Sequence, residues 1–259
     1  MHRLALAAGC ILDTDARGII QAAAAAGFDL VGLRLSGEHA VASPEQLLSV
    51  GSFARSLGVA VHDVEVHRIG HAHPSVTDLL DAATAIGATG VLVVSDLASD
   101  SDTIAEVDRI ARLCDERNLV LGLEYMAWTN PCSSAGALAI AQNTGCRVIV
   151  DLLHHVRVGA GVADLDAIVA ADALAWVQLC DAPLVRPGPT DDDLLHEARH
   201  ARLPPGSGEL PLPDLLMAVP ADAVISIEVQ SDVLTATLSP VERARLLHAS
   251  SMSVLTHRG

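Results

Sequence analysis

The chain has 259 residues, about half of them apolar, with only two Trp, one Tyr and two Phe. Its core must therefore be built from small aliphatic side chains. A formal net charge of −16 argues against nucleic acid and anionic membrane as partners, since both are held by clustered cations. Five Cys with no C-x-x-C pair read as free thiols of a reducing cytosol rather than a disulfide framework.

The first apolar run, "LALAAGC", ends at Cys10 and spans about six residues before it. That is short of the roughly 7–15 a signal peptide needs, so it reads as a first β-strand in a cytoplasmic protein. Seven further runs follow. They are "LVGLRL" from Leu30, "VAVHDVEVHRI" from Val59, "GVLVVSD" from Gly90, "LVLGLEYM" from Leu119, "RVIVDLLH" from Arg147, "LAWVQLCD" from Leu174 and "AVISIEVQ" from Ala223. Between them lie helical patterns: an Ala-rich stretch from Thr14, a helix opening at Ser43-Pro44, and a closing helix after Ser239. In "DTIAEVDRIARLCDER", Ile104, Val107, Ile110 and Leu113 share one helical face.

Continuous apolar strands alternating with amphipathic helices imply a parallel sheet covered by helices. Eight such units match a single (β/α)8 barrel spanning residues 1–259 as one domain. A doubly wound open sheet is the alternative, but no G-x-G-x-x-G follows the first strand. The interval between the seventh and eighth strands exceeds the others by about 20 residues. The excess, Pro183 to Pro213, reads as a long loop after strand seven, on the C-terminal rim where barrel active sites lie. Its Asp191-Asp192-Asp193 run reads as a helix N-terminus.

The last four strands each carry a polar residue toward their C-terminal part: Glu124, Asp151, Gln178 and Glu228. In a barrel these positions converge, and three crowded carboxylates repel one another unless a cation lies between them. One divalent metal ion held by three carboxylates and an amide oxygen is the expected cofactor. The oxygen donors favour Mg or Mn.

This pattern resembles the xylose isomerase-like TIM barrels, a family that includes apurinic endonucleases, ketose 3-epimerases, inosose dehydratase and 3-dehydroshikimate dehydratase. The resemblance implies that Glu124, Asp151, Gln178 and Glu228 are the metal ligands. Gln178 stands where many epimerases have His and looks like the 3-dehydroshikimate dehydratase branch. Asp151-Leu-Leu-His154 matches the family's D-x-x-H, whose His contacts a substrate oxygen; His155 is its neighbour, and the two roles are exchangeable. Arg202 with Pro205-Gly206-Ser207-Gly208 resembles the R-x-x-P-G-E-G loop, with Ser207 in place of Glu. Arg68 resembles a family arginine near the substrate, and Trp128 is expected to wall the pocket. Glu65 and His67 share a strand face whose direction is not readable. His71 and His73 form an H-x-H better read as solvated loop residues.

The reaction expected is enolisation of a hydroxy-ketone, a sugar or a polyol-derived ring. Glu124 and Glu228 are the candidate bases, and His154 stabilises the enediolate. Isomerisation or epimerisation is the first expectation and dehydration (a lyase) the alternative. A non-catalytic metabolite-binding barrel remains open. The expected partners are a small-molecule substrate and, in assembly, a second copy of the chain.

Overall fold

The computed structural model describes residues 2–35, 43–71 and 75–256. Eight parallel strands close on themselves in chain order, β1-β2-β3-β4-β5-β6-β7-β8, with β8 pairing back to β1. They are β1 (Leu4–Leu6), β2 (Leu30–Arg34), β3 (Ala60–Ile69), β4 (Gly90–Ser95), β5 (Val120–Glu124), β6 (Arg147–Asp151), β7 (Leu174–Leu179) and β8 (Ile225–Ile227). Each apolar run of the sequence thus becomes one stave of a (β/α)8 barrel. Among the described residues, no helix is long and apolar enough to cross a membrane.

Alternation along the staves separates two apolar layers. Val91 and Val93, Leu121 and Leu123, Val148 and Val150, and Val177 and Leu179 face outward and pack under the helices in one continuous core. Leu92, Val94, Met126, Ile149 and Trp176 form a second cluster inside the barrel. Trp176 is admitted by glycine: a Cβ on Gly122 would lie 2.7 Å from the indole and 2.6 Å from Ile149. With so few aromatics, this one ring fills much of the barrel floor.

The helices begin where the sequence supplies caps. Asp15 accepts from Gly18 N (2.8 Å) to open α1 (Ala16–Ala26), and Ser43 accepts from Gln46 N before Pro44 opens α2 (Pro44–Ser56). The helices α3 (Val76–Ile86), α4 (Asp100–Asp115) and α5 (Ser134–Asn143) follow β3, β4 and β5. After β6 come α6 (Leu152–Arg157) and α7 (Val162–Ala170); after β8, α10 (Asp232–Thr237) and α11 (Pro240–Thr256).

The segment after β7, expected as a loop, contains a helix, α8 (Asp191–His200), before α9 (Leu212–Ala218). The Asp191–Asp193 run is its first turn, and Thr190 and Asp193 cap it reciprocally. A buried ion pair clamps α8 to α6: Arg157 Nε and Nη2 each lie 2.7 Å from the Glu197 carboxylate. The same guanidinium donates to the Pro183 and Leu184 carbonyls. The helix is therefore a fixed part of the rim.

The strand β3 is irregular against both its neighbours. Its register slips against β2 between Val31 and Leu33, and against β4 between Val64 and His67. Each slip advances the side-chain alternation by one residue. Consequently Asp63 and Glu65 are both buried, Val66 and Arg68 line the barrel mouth, and His67 turns toward Glu106 and Arg109 of α4.

Candidate active site

Over the C-terminal ends of the strands lies a cavity of about 720 Å³. Its floor is acidic. Glu124 is the last residue of β5, Asp151 the last of β6, and Glu228 directly follows β8. Gln178 pairs in register with Asp151 on one side and Ser226 on the other. Glu65 of β3 adds a carboxylate that the sequence left unassigned, because the slips in β3 hide its direction.

Asp151 has its two oxygens committed differently. Oδ1 caps α6, accepting from Leu153 N (2.8 Å) and His154 N (3.1 Å), while Oδ2 accepts from Arg202 Nη1 at 2.5 Å. The same Arg202 nitrogen lies 3.7 Å from Glu228 Oε2, and Arg202 Nε donates to the Ala198 carbonyl. Arg202 thus stands buried among the carboxylates, deeper than a residue expected only to touch substrate. Burial pushes the Asp151 carboxyl up, but Arg202 and then His154 beside it hold it below its ordinary value.

Glu124 and Glu228 are compensated less. Burial, followed by Glu228 and Asp151, raises Glu124 well above the usual carboxylate range. Burial raises Glu228 to about 7 against the pull of Arg202, with Glu65 and Asp151 adding repulsion. These carboxylates together need more positive charge than the nearby side chains provide.

His154 lies on the cavity wall, its Nε2 3.8 Å from Glu124 Oε1 and 3.3 Å from Arg202 Nη2. Guanidinium nitrogens only donate, so Nε2 carries the lone pair of a neutral ring. Burial lowers its pKa to about 4 against the pull of Asp151, with Arg202 and Arg157 adding to the lowering. The edge of Trp128 packs at 5.2 Å against this ring, and Trp128 lines the cavity as expected.

His155 does not reach the cavity, a correction to its expected substrate-binding role. One turn of helix cannot aim consecutive side chains the same way. Its Nδ1 meets the Tyr125 hydroxyl at 2.6 Å and its Nε2 the Gly161 carbonyl at 2.9 Å, so both ring nitrogens are used in packing. Arg68 lines the mouth, held by Asp96 through Nε (2.9 Å) and Nη2 (2.7 Å). His71 is exposed and pairs with the same Asp96; His73 lies outside the described residues.

The loop carrying Arg202 is organised by a residue the sequence did not single out. Asp181 accepts four backbone N–H groups: Ala182 and Leu210 on Oδ1, Gly206 and Gly208 on Oδ2. Its own backbone exchanges two hydrogen bonds with Leu203, next to Arg202. A Cβ on Gly208 would lie 2.5 Å from Asp181 Oδ1, which is why glycine stands there in the motif. The position of Ser207 is irrelevant to this anchoring, since no side chain there takes part.

Does this set of residues suit a metal ion? One donor atom each of Glu124, Asp151 and His154 lie within 4.8 Å of one another. Gln178 is 1% exposed and its Oε1 has no hydrogen-bond partner. A buried amide oxygen without a partner is costly, and a hard cation is a partner it suits. With the excess of carboxylates, the donor set fits a divalent cation; His154 adds a nitrogen to the oxygen set expected.

The family model described as xylose isomerase-like TIM barrel matches residues 20–249. No curated protein sequence matches the chain. Among solved structures, a xylose isomerase-like TIM barrel/4-hydroxyphenylpyruvate dioxygenase fusion protein superposes with a TM-score of 0.82 at 20% identity. That match covers 99% of this chain and 43% of the fusion, so the chain spans less than half of that relative. The IolI protein with a binding zinc atom superposes at 0.83 and 12% identity over 99% of both chains. D-psicose 3-epimerase in the presence of D-fructose superposes at 0.71 and 12% identity, covering 99% of this chain and 100% of that one. At these identities the likeness is one of fold.

Proposed function

The chain belongs to the xylose isomerase-like TIM barrel family, and from that membership we propose that it is a divalent-metal-dependent enzyme that enolises a hydroxy-ketone in the manner of a sugar isomerase or epimerase. The observation that carries the reading is the partnerless, buried Gln178 Oε1 on the strand position paired with Asp151, whose carboxylate lies close to that of Glu124 and to His154. Glu124, Asp151, Gln178 and Glu228 hold the ion in this reading, with His154 at its edge. A bound divalent cation supplies Lewis-acid polarisation of the substrate carbonyl and offsets the repulsion among the carboxylates.

The chain's own groups do the proton transfers. Glu124 and Glu228 line the cavity, and ionised they are bases with reach to a carbon beside the carbonyl. One removes its proton at a carboxylate oxygen, and return of the proton to the other face or to the neighbouring carbon completes epimerisation or isomerisation. His154, neutral near pH 7, lines the cavity and positions a substrate hydroxyl by hydrogen bonding. Arg202 offers its guanidinium to the negative charge that develops on the enolate oxygen. Leu92, Val94, Met126 and Trp128 supply an apolar wall that limits water at the reacting carbon.

A dehydratase of the same set is the second reading, favoured by Gln178 in the seventh-strand position. It differs only in the fate of the enolate, which expels a β-hydroxyl. Two measurements test the shared step. Metal analysis of protein purified without chelator is expected to find about one divalent ion per chain. Solvent deuterium is expected to enter at least one compound of a panel of ketoses, inososes and 3-dehydroshikimate, and either Glu124→Gln or Glu228→Gln to abolish that exchange. Protein that neither retains nor is stabilised by Mn²⁺ or Mg²⁺, or exchange that survives both substitutions, overturns the reading.

A further inference from the structure

The sixteen cationic side chains counted in this sequence are all Arg, and the chain is strongly acidic overall. Four of them, Arg34, Arg68, Arg199 and Arg202, line the same cavity. Arg202 belongs to the carboxylate floor. The other three stand together on the wall between β2, β3 and α8, where the reaction proposed above gives them nothing to do.

Their partners do not account for them. Arg34 donates to Glu65 through Nη2 (2.8 Å), yet its Nε is buried with no hydrogen-bond partner. Arg68 spends Nε and Nη2 on Asp96, which leaves Nη1 unused. Arg199 forms no hydrogen bond or ion pair among the described residues. The acid that faces it, Asp96, is already matched with Arg68 and with His71 Nε2 at 2.8 Å. Burial, then Arg68 and Arg34 facing it, holds the Arg199 pKa below its ordinary value, against Asp96. Three guanidinium groups thus line one cavity: Arg34 and Arg68 each have one carboxylate partner, while Arg199 has none among the described residues. Guanidinium forks match the planar or tetrahedral oxygens of carboxylates and phosphates.

We propose that the cavity binds a substrate bearing an anionic group, a carboxylate or a phosphate monoester, which seats against Arg34, Arg68 and Arg199 while the hydroxy-ketone end lies over the carboxylate floor. This rests on the enolisation reading for the far end of the substrate only. The fixed α8, clamped by Arg157 and Glu197, holds the backbone that carries Arg199 in place before substrate arrives. Such preorganisation reduces the entropy lost on binding.

The test uses matched pairs of probes titrated calorimetrically into Mn²⁺-loaded protein: ribulose 5-phosphate against ribulose, and shikimate against methyl shikimate. The anionic member of one pair is expected to bind about tenfold or more tightly than its neutral twin, and the pair that discriminates identifies the anion. Arg199→Gln is expected to reduce that ratio to about threefold or less with Mn²⁺ affinity intact, and Arg199→Lys to restore part of it. Equal affinities within both pairs, or a ratio unchanged in Arg199→Gln, overturn the proposal. Deuterium exchange into neutral ketoses without any preference for anions sinks this inference alone. A preference for anions without exchange into any compound sinks the enolisation reading and leaves the anion site standing.

Discussion

Replacing Gln178 by Met keeps an unbranched side chain of the same length and removes both polar groups of the amide. In the structure the Gln178 side chain is 1% exposed and its Oε1 has no hydrogen-bond partner. A buried polar group left unpaired costs roughly 1–3 kcal/mol, so metal-free Gln178→Met is expected to be more stable than the wild type by about 2 kcal/mol. With metal the difference narrows. A ligand at a hundred times its dissociation constant stabilises the native state by about 2.7 kcal/mol. The wild type gains that much from Mn²⁺, whereas the variant, short of one donor, gains less at the same concentration. Urea unfolding of both proteins, once in EDTA and once with Mn²⁺, measures all four stabilities. A metal-free variant less stable than the wild type would refute the idea that the amide oxygen is unpaired without an ion. An identical gain from Mn²⁺ in both proteins would refute its assignment as a ligand.

Asp181→Ala strands four backbone N–H groups at once and is expected to cost roughly 3–5 kcal/mol, with faster amide hydrogen exchange from residue 203 to 210; a loss below about 1 kcal/mol rejects it as the anchor of the Arg202 loop. His155→Phe leaves the Tyr125 hydroxyl without its 2.6 Å partner and lowers stability by about 1–3 kcal/mol while turnover persists. His154→Gln does the reverse, with turnover reduced about a hundredfold or more at nearly unchanged stability, and the pair is read by urea unfolding beside a deuterium-exchange assay. His62 is buried against Trp176 and its pKa is lowered from 6.5 to about 4, by burial first and then by Arg3. Between those values the unfolded chain binds a proton that the folded one refuses, so the stability present above pH 6.5 is lost as pH falls toward 4. At about 1.4 kcal/mol per pH unit this amounts to about 3 kcal/mol, seen as a divergence between the wild type and His62→Gln on acidification; parallel pH profiles would contradict it.

Much of the architecture is local enough to be written in the chain. An apolar run of five or six residues has few ways to be buried other than as a barrel strand, and all eight runs became strands in order. Capping is equally local: Ser43 before Pro44 opens a helix wherever it stands. The four polar residues at the ends of strands five to eight also share the inward face for a local reason, because each directly follows an outward-facing apolar residue (Leu123, Val150, Val177 and Ile227).

Tertiary structure decided the rest. The two register slips in β3 arise from its pairing with β2 and β4, so no periodicity within "VAVHDVEVHRI" tells that Glu65 and Arg68 face the cavity while His67 does not. His154 and His155 are adjacent and chemically identical. Only the helix direction, set by the Asp151 cap, sends one to the cavity and the other to Tyr125. Arg202 and Asp181 acquire their partners across 51 and up to 29 residues of chain, through the path of a long segment whose motif was visible in the sequence but whose partners were not. Gathering Arg34, Arg68 and Arg199 on one wall required the closure of the barrel and the docking of α8. What the sequence determined were elements stabilised by contacts within a few residues; the direction each functional side chain faces depends on pairings made only when distant strands meet.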